Sequence, residues 1–324
     1  MTKLSICIPT YNQGVYLNKC LDPLISQSVP PYEIVVSENH STDDTKNILY
    51  KYSNEIRIVH PPTHLSMIEN YQFCAEHADG DWLIFMTSDD IAEKNYVYDI
   101  LKGIKERPNS ILFRGWHSEI NSNGDFLRKV PSLRMPYLAN PRDAFIEQFD
   151  GPKCFFEATA FLKTAWEKAG GFNTKLKLYG DWALWIALSH VGSFARIEKY
   201  LTKYRIWERY DRGINRIKPH LEDSIIIFKE MIFPKAQEYG SDVTSIARKK
   251  GKKFGYETLL WINNNANHMV IRDNIKIIQE FCDLLDIRMN VKKLLDGHYA
   301  PPKSYLLRSN LKRLLKKNII KCFY

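Results

Sequence analysis

The 324-residue sequence contains no Cys-x-x-Cys pair that could combine with histidines into a zinc-finger ligand set; its six cysteines (Cys7, Cys20, Cys74, Cys154, Cys282 and Cys322) are scattered. That scatter excludes a zinc-finger ligand set and reads as reduced, mostly packed thiols. No apolar run approaches the about 20 residues that span a bilayer, which excludes a transmembrane helix. A strand-like segment, Leu4-Ser-Ile-Cys-Ile8, begins after three residues, so the expected location is cytoplasmic. No acidic residue occurs between Pro301 and Tyr324, where seven of the 46 basic residues lie. With 37 acidic residues in the chain, the formal charge of +9 therefore belongs mainly to the tail and the body is close to neutral. This excludes a broad nucleic-acid-binding surface. What remains, 44% hydrophobic and 26% charged residues, is the composition of an ordinary globular protein long enough to bury a sizeable core.

Strand and helix signals alternate through the first third, the pattern of a parallel sheet covered by helices. Strands are expected over residues 4–9, 33–37, 56–59, 82–86 and 110–115, and helices over 15–26, 43–52, 67–78 and 94–106. Ser41, Thr42, Ser66 and Asp90 are suited to cap those helices. Right-handed crossovers open the C-terminal strand ends onto one face, where the polar clusters after the first, second and fourth strands converge. Residues 121–141 carry weak signal, with a turn at Asn123-Gly124. A second group follows at 155–162, 164–169 and 182–190. Beyond Pro219 the pattern is helical, over 221–239, 244–263, 272–285 and 306–321, with no convincing strand and no internal repeat. Two regions are expected, 1–218 and 219–324.

Four clusters carry the chemistry. Ser5-Ile-Cys-Ile-Pro-Thr-Tyr-Asn12 is a buried strand ending in polar groups that can meet a base or ribose; it also reads as a strand before a capped helix. In Glu33-Ile-Val-Val-Ser-Glu-Asn-His-Ser-Thr-Asp-Asp44 a strand delivers Glu38 and Asn39 to the same crevice, while Ser41 to Asp43 start a helix. Gly80-Asp-Trp-Leu-Ile-Phe-Met-Thr-Ser-Asp-Asp90 is an apolar strand running into paired carboxylates. Such hard oxygen ligands suit Mg²⁺ or Mn²⁺ bridging a diphosphate, although an aspartate pair before a helix is also a common cap. In Gly170-Gly-Phe-Asn-Thr-Lys-Leu-Lys-Leu-Tyr-Gly-Asp-Trp-Ala-Leu-Trp-Ile-Ala-Leu188, Asp181 heads an aromatic-rich helix. There it can accept a proton from an attacking hydroxyl or simply cap the helix, with Trp182 and Trp185 as core or as acceptor-site walls.

The four clusters, in this order, resemble the inverting family 2 glycosyltransferases of GT-A fold over roughly the first two-thirds of the chain. The resemblance implies an α/β fold, a mixed and mostly parallel sheet with helices on both faces, followed here by a C-terminal helical region. It implies that Pro9, Thr10, Tyr11 and Asn12 line a nucleotide pocket, with Glu38 standing where the family usually has aspartate. Asp89 would contact ribose or metal, Asp90 the Mn²⁺ or Mg²⁺ and the diphosphate, and Asp181 would be the general base. Thr87 replaces the first aspartate of the metal motif, Gly180 replaces a glutamate and opens space for a larger acceptor, and Trp207 stands where histidine is often found. Arg205 or Arg209 is left to neutralise the leaving diphosphate.

The implied partners are a nucleotide-sugar donor, UDP by default, and a saccharide or lipid-linked saccharide acceptor of the capsule or lipopolysaccharide type. On a helical wheel the tail gathers Leu307, Leu311, Leu314, Leu315 and Cys322 opposite most of its basic residues. Such a helix binds an anionic membrane surface, at the inner face of the plasma membrane, or packs on its own domain. A nucleotidyltransferase would carry a glycine-rich, basic phosphate loop that Pro9-Thr-Tyr-Asn-Gln-Gly14 lacks. A catalytically silent sugar-nucleotide or polysaccharide binder of the same fold is the alternative, and retention of Asp89, Asp90 and Asp181 together argues against it.

Overall fold

The structure, a computed structural model, describes residues 2–131, 136–153, 155–207 and 215–302. The chain divides into two compact units, Met1–Gln148 with Pro152–Trp207, and Phe149–Gly151 with Glu208–Tyr324.

The first unit is built on one sheet. β1 (Leu4–Thr10) is buried along its whole length, as expected of a strand covered on both faces. It pairs in parallel with β2 (Glu33–Glu38) and β4 (Trp82–Phe85), and β2 pairs in parallel with β3 (Arg57–Val59). Beyond β4 the sheet continues through β9 (Thr159–Leu162), which is antiparallel to both β4 and β6 (Ser110–Ile120). β10 (Ser193–Arg205) then runs parallel to β6. Short antiparallel strands finish the sheet: β5 (Ile91–Ala92) and β8 (Leu138–Ala139) on β10, and β7 (Phe126–Val130) on β6.

Alternate residues of each strand feed opposite faces. Ile6, Ile8 and Ile84 pack with Leu17 and Leu21 of α1 (Gly14–Ile25), Ile48 of α2 (Thr45–Lys51) and Ile100 of α4 (Tyr96–Glu106). Cys7, Leu83 and Phe85 pack with Cys74 of α3 (Met67–Glu76), Ala144 of α5 (Pro141–Glu147), Trp166 of α6 (Lys163–Lys168) and Trp185 of α7 (Gly180–Ser189). Each fully buried apolar side chain of this size contributes about 1.5–3 kcal/mol. The cysteines Cys7, Cys20, Cys74 and Cys282 are free thiols inside these cores or that of the second unit; Cys154 and Cys322 lie outside the described residues.

Several local expectations are corrected. Ser66 caps α3 through a reciprocal box with Glu69, as its sequence suggests. Ser41, Thr42 and Asp90 do not cap: α2 starts at Thr45, and Asp90 is followed by β5 rather than by helix. Asp44 stands at the N-cap of α2 without a side-chain cap bond; the carboxylate of Asp43 before it accepts from the N–H groups of Thr45 and Gly14 at 3.0 Å each, so one acid serves the first residues of α2 and α1. A Cβ on Gly14 would stand 3.0 Å from the Thr45 nitrogen, which is why that position is glycine. β10 was not apparent in the sequence, and neither were β7, β8 and α5, which occupy or border the weak segment 121–141. The Asn123-Gly124 turn is present, with Gly124 at φ 100°. Residues 155–162 divide into a 3₁₀ turn, Phe156–Ala158, and β9.

The described part of the second unit is helical. Ile217–Ile226 passes through a π-helical stretch, Ile227–Ile232, into Phe233–Tyr239, followed by Ser241–Asn265, His268–Asp273, Ile275–Leu284 and Val291–Leu295. The basic run 248–253 is a paired face: Lys253 meets Asp150 at 3.0 Å, Lys252 meets Asp286 at 2.7 Å, and Arg248 lies over the Phe233 ring. No helix among the described residues is long and apolar enough to cross a membrane. The amphipathic tail helix expected over 306–321, and Arg209, lie outside the described residues.

Burial raises the Asp43 pKa, but hydrogen bonds from the Thr45 hydroxyl and the Gly14 and Thr45 N–H groups outweigh it and hold the carboxyl below its usual range. Asp43→Ala is expected to cost about 1 kcal/mol, a few degrees of Tm. Because the folded pKa is depressed, that contribution is complete at neutral pH and disappears as pH falls through it. A thermal melt of the variant that matches wild type at pH 7 would refute the double cap.

Candidate active site

The loops after β1 and β2 are sewn together. Asn12 takes a left-handed backbone at φ 53°, donates its N–H to Ser41 Oγ at 3.0 Å and accepts from Thr42 N at 2.8 Å through Oδ1. Asn39 pairs its amide with both backbone groups of Leu65, at 2.8 and 2.9 Å, so its side chain is committed to the loop. The His64 ring lies 4.6 Å from that of Tyr11, which is half exposed. Glu38 is buried and accepts from Ser41 N at 2.5 Å and meets His60 Nδ1 at 3.2 Å. Burial raises its pKa, yet Ser41, Lys46 and His60 outweigh that and hold it below its usual value, so it is ionised at neutral pH. Thr10 Oγ1 is buried beside Pro9 with no hydrogen-bond partner.

β4 is followed by Thr87-Ser-Asp-Asp90. Asp90 is buried; its Oδ2 accepts from the Thr87 hydroxyl and its Oδ1 from Arg205 N at 2.6 Å. Asp89 Oδ2 accepts from the Trp207 indole N–H at 2.6 Å. The Arg205 guanidinium is buried too. It donates to the carbonyls of Asp89 (2.7 Å), Asn121 (2.9 Å) and Ser122 (3.0 Å) and lies 4.8 Å above the Tyr16 ring, while Nη2 has no partner. Tyr16 in turn meets Trp207 edge-on at 4.9 Å. Arg205 thus holds the acidic loop through its backbone.

Asp181 lies in the first turn of α7, nearly buried, with Oδ1 accepting from Trp182 N at 2.6 Å. Trp182 and Trp185 are fully buried and belong to the core. The space expected beside Gly180 is already filled, since a Cβ there would stand 2.4 Å from Ile68 Cδ1.

Two further residues belong to this region and escaped the sequence reading. Glu157, in the 3₁₀ turn before β9, is buried, and its Oε1 has no hydrogen-bond partner. Burial drives its pKa up to about 8; its own N–H opposes this and the charges of Asp89 and Asp181 add to it. Tyr71 of α3 lies within the electrostatic reach of Asp89, Glu157, Asp90 and Asp181, which with burial push its hydroxyl pKa up. The only signal in the sequence is a lone acid within Phe155-Phe-Glu-Ala-Thr-Ala-Phe161. Asp90 is raised well above its usual range by burial and by Asp89 and Glu157, against the Thr87 and Arg205 hydrogen bonds. The charges of Asp89 and Glu157 thus act on Asp90, and those of Asp89 and Asp181 act on Glu157. No three His, Cys, Asp or Glu side chains among the described residues are grouped as a metal site. The donor set is nevertheless of the chemistry a divalent cation relieves, carboxylates crowded enough to resist ionising together.

Since the folded pKa of Glu157 exceeds the unfolded value of about 4.3, the folded state retains a proton that the unfolded state releases between about pH 4.5 and about 8. Stability of the metal-free protein should fall as pH rises through that interval. Glu157→Gln should flatten the fall in thermal melts made in chelator; parallel slopes for the two proteins would contradict it.

Comparison with known proteins places this geometry. The family "Glycosyl transferase family 2" matches residues 5–169, half of the chain. GlyG, a glycosyltransferase of Streptococcus pneumoniae, is 23% identical over 126 residues, 38% of this chain and 42% of that protein. Poly(ribitol-phosphate) beta-N-acetylglucosaminyltransferase TarS of Staphylococcus aureus is 30% identical over 122 residues, 35% of this chain and 20% of that protein. The chain thus spans less than half the length of either relative. TarS 1–349 in complex with UDP-GlcNAc superposes with a TM-score of 0.55 at 16% identity, covering 92% of this chain and 93% of that one. Mannosyltransferase PcManGT from Pyrobaculum calidifontis, in complex with GDP-Man and Mn²⁺, does so with a TM-score of 0.55 at 16% identity, over 97% and 88%. At such identity these two likenesses establish the fold, and it is the GT-A fold that the four sequence clusters implied. The chain belongs to glycosyl transferase family 2.

Proposed function

We propose that this protein transfers a sugar, with inversion, from a nucleoside diphosphate donor to a hydroxyl of a saccharide or lipid-linked saccharide, as in surface polysaccharide synthesis. The observation that carries the reading is that Asp89 and Asp90 are held side by side after β4 by Trp207 and Arg205, and that the charges of Asp89 and of Asp181, in the first turn of α7, both reach the buried Glu157. The acids of a donor site and a candidate base thereby share one electrostatic environment. UDP is the favoured nucleotide because TarS, a family relative with the same fold, is solved with UDP-GlcNAc; the complex of PcManGT makes GDP the first competitor. Residues 1–218 would carry the transferase.

In this reading Pro9, Thr10, Tyr11 and Asn12 line the base and ribose pocket, with the unpartnered Thr10 hydroxyl and the ionised Glu38 as hydrogen-bonding groups. Asn39 serves by fixing the loop that bears His64. Asp89 and Asp90 would hold Mn²⁺ or Mg²⁺, whose charge offsets that of the diphosphate as it leaves. Arg205 keeps both acids in place and has Nη2 left for a phosphate oxygen. Asp181 takes the proton of the acceptor hydroxyl as the new C1–O bond forms on the face opposite the breaking C1–O(phosphate) bond. The electron pair of the breaking bond leaves with the nucleoside diphosphate, and the anomeric configuration inverts. The α7 N-terminus favours the ionised form of Asp181 before transfer. The basic tail would bring the protein to an anionic membrane carrying the acceptor, a point that liposome co-sedimentation of a chain truncated after Pro302 tests.

The test is calorimetric titration with UDP, GDP, dTDP and CMP, with and without Mn²⁺. One nucleoside diphosphate should bind in the presence of metal, and Asp90→Ala should lose that binding; absence of binding by every nucleotide would overturn the reading. Asp181→Asn should keep nucleotide affinity while transfer falls by about 10²–10⁴-fold. Undiminished transfer by that variant would remove Asp181 from the mechanism.

A further inference from the structure

His64 is an exposed side chain with one ring nitrogen already committed. Its Nδ1 lies 3.0 Å from the Asn39 carbonyl oxygen, which only accepts, so Nδ1 carries the hydrogen. In the neutral ring Nε2 is then a hydrogen-bond acceptor, and no group among the described residues pairs with it. The loop that presents it is held along its length. His60 Nδ1 meets Glu38 Oε2 at 3.2 Å, the His40 ring donates Nε2–H to the Pro61 carbonyl at 2.9 Å, and Asn39 clasps both backbone groups of Leu65.

The place of this acceptor restricts what it can meet. The strands run in the order β3-β2-β1-β4. At about 4.8 Å per step, the end of β3, where the loop begins, stands roughly 14 Å from the end of β4 and the acid pair that follows it. The His64 ring nevertheless touches that of Tyr11, which follows β1, with centroids 4.6 Å apart and planes tilted by 55°. Tyr11 is 44% exposed and His64 is exposed too, so the two rings offer an open aromatic surface on the β3 side of the acids. In a nucleoside diphosphate whose phosphates lie at Asp89 and Asp90, the part that reaches this surface is the base, which is planar and stacks on aromatic rings. A base laid on the Tyr11 ring brings a polar edge to the imidazole in contact with it. An acceptor nitrogen there divides the bases into two classes. Uracil at N3 and guanine at N1 offer a ring N–H, whereas cytosine at N3 and adenine at N1 offer a lone pair that an acceptor leaves unpaired.

We infer that His64 selects the nucleobase of the donor, lying beside Tyr11 and accepting through Nε2 the ring N–H of a base of the uracil and guanine class. The inference rests on the glycosyl-transfer reading and deepens it by naming the group that tells one nucleotide from another.

The experiment compares wild type with His64→Phe, which keeps an aromatic ring against Tyr11 and removes the acceptor. Calorimetry is done in Mn²⁺ near pH 8, above the ordinary imidazole range. The probes are UDP with CDP and GDP with ADP, two pairs of like size whose members differ at that ring nitrogen and the exocyclic groups beside it. In the pair that binds, wild type should prefer UDP or GDP by at least roughly tenfold, and His64→Phe should lower that ratio roughly tenfold or more by weakening UDP or GDP alone. Wild type that binds CDP as tightly as UDP, or ADP as tightly as GDP, overturns the inference with no variant involved. A ratio that His64→Phe leaves unchanged also overturns it, whether both affinities persist or fall together, because ribose and phosphate contacts are common to both members of a pair. Either result leaves the glycosyl-transfer reading standing, whereas failure of wild type to bind any of the four probes overturns both. Should His64→Phe bind no nucleotide, His64→Ala, which leaves the clasp of Asn39 on Leu65 in place, is read instead with the same expected fall and the same refuting result.

Discussion

A buried acid follows the central strand: Asp90 is enclosed by protein, and its Oδ1 is held by the backbone N–H of Arg205, 115 residues further along the chain. That hydrogen bond can form only if β10 runs parallel to β6 and passes the end of β4, so the contact and the sheet order require each other. The same strand end also carries the Arg205 side chain to the carbonyls of Asp89, Asn121 and Ser122, and then Trp207 to the Asp89 carboxylate. One strand thus ties together the acidic loop and the turn between β6 and β7. Bulges in β10 between Arg196 and Thr202 shift its register on β6, and beyond them Arg205 pairs with Ile120.

Crowding acids in this way works against stability, because burial and neighbouring acids raise the proton affinity of Asp90 and Glu157. The opposing contribution comes from what surrounds them. Phe85, Phe156, Phe172 and Tyr71 form a continuous aromatic cluster under the acids, with ring centroids between 4.8 and 6.1 Å. Contacts of that kind add to area burial by about 0.5–1.5 kcal/mol per pair. The cluster also keeps the turn bearing Glu157 from relaxing toward water. Rigidity and electrostatic tension in this region are therefore two effects of the same packing.

The first half of the sheet was legible because β1, β2 and β4 are short, carry a run of apolar residues and are followed by polar ones, the pattern of strands buried on both faces. β10 was not. Its alternation is broken by bulges and filled with Arg196, Glu198, Lys199 and Lys203, so neither period dominates. The clusters that ended those readable strands fall where a strand end must place them. Glu157 had no such marker, since its burial follows from tertiary packing of a 3₁₀ turn that local pattern does not encode. Capping was misread for a related reason: Asp43 serves a second helix that begins 29 residues earlier, which no local window contains.

Three positions that depart from the family pattern bear on whether the site is kept or has decayed. Erosion would leave the partner groups of the lost residues unpaired, since nothing maintains a second contact once the first is dispensable. Thr87 instead donates its hydroxyl to Asp90, and Trp207 donates its indole N–H to Asp89. Gly180 admits Ile68 so closely that any side chain would displace it. Each substitution is matched by a contact that fixes an acid or closes the packing behind one. The acids that remain are thus met by neutral donors where a further carboxylate would repel them, and in such an environment a cation or a proton decides how many of them ionise.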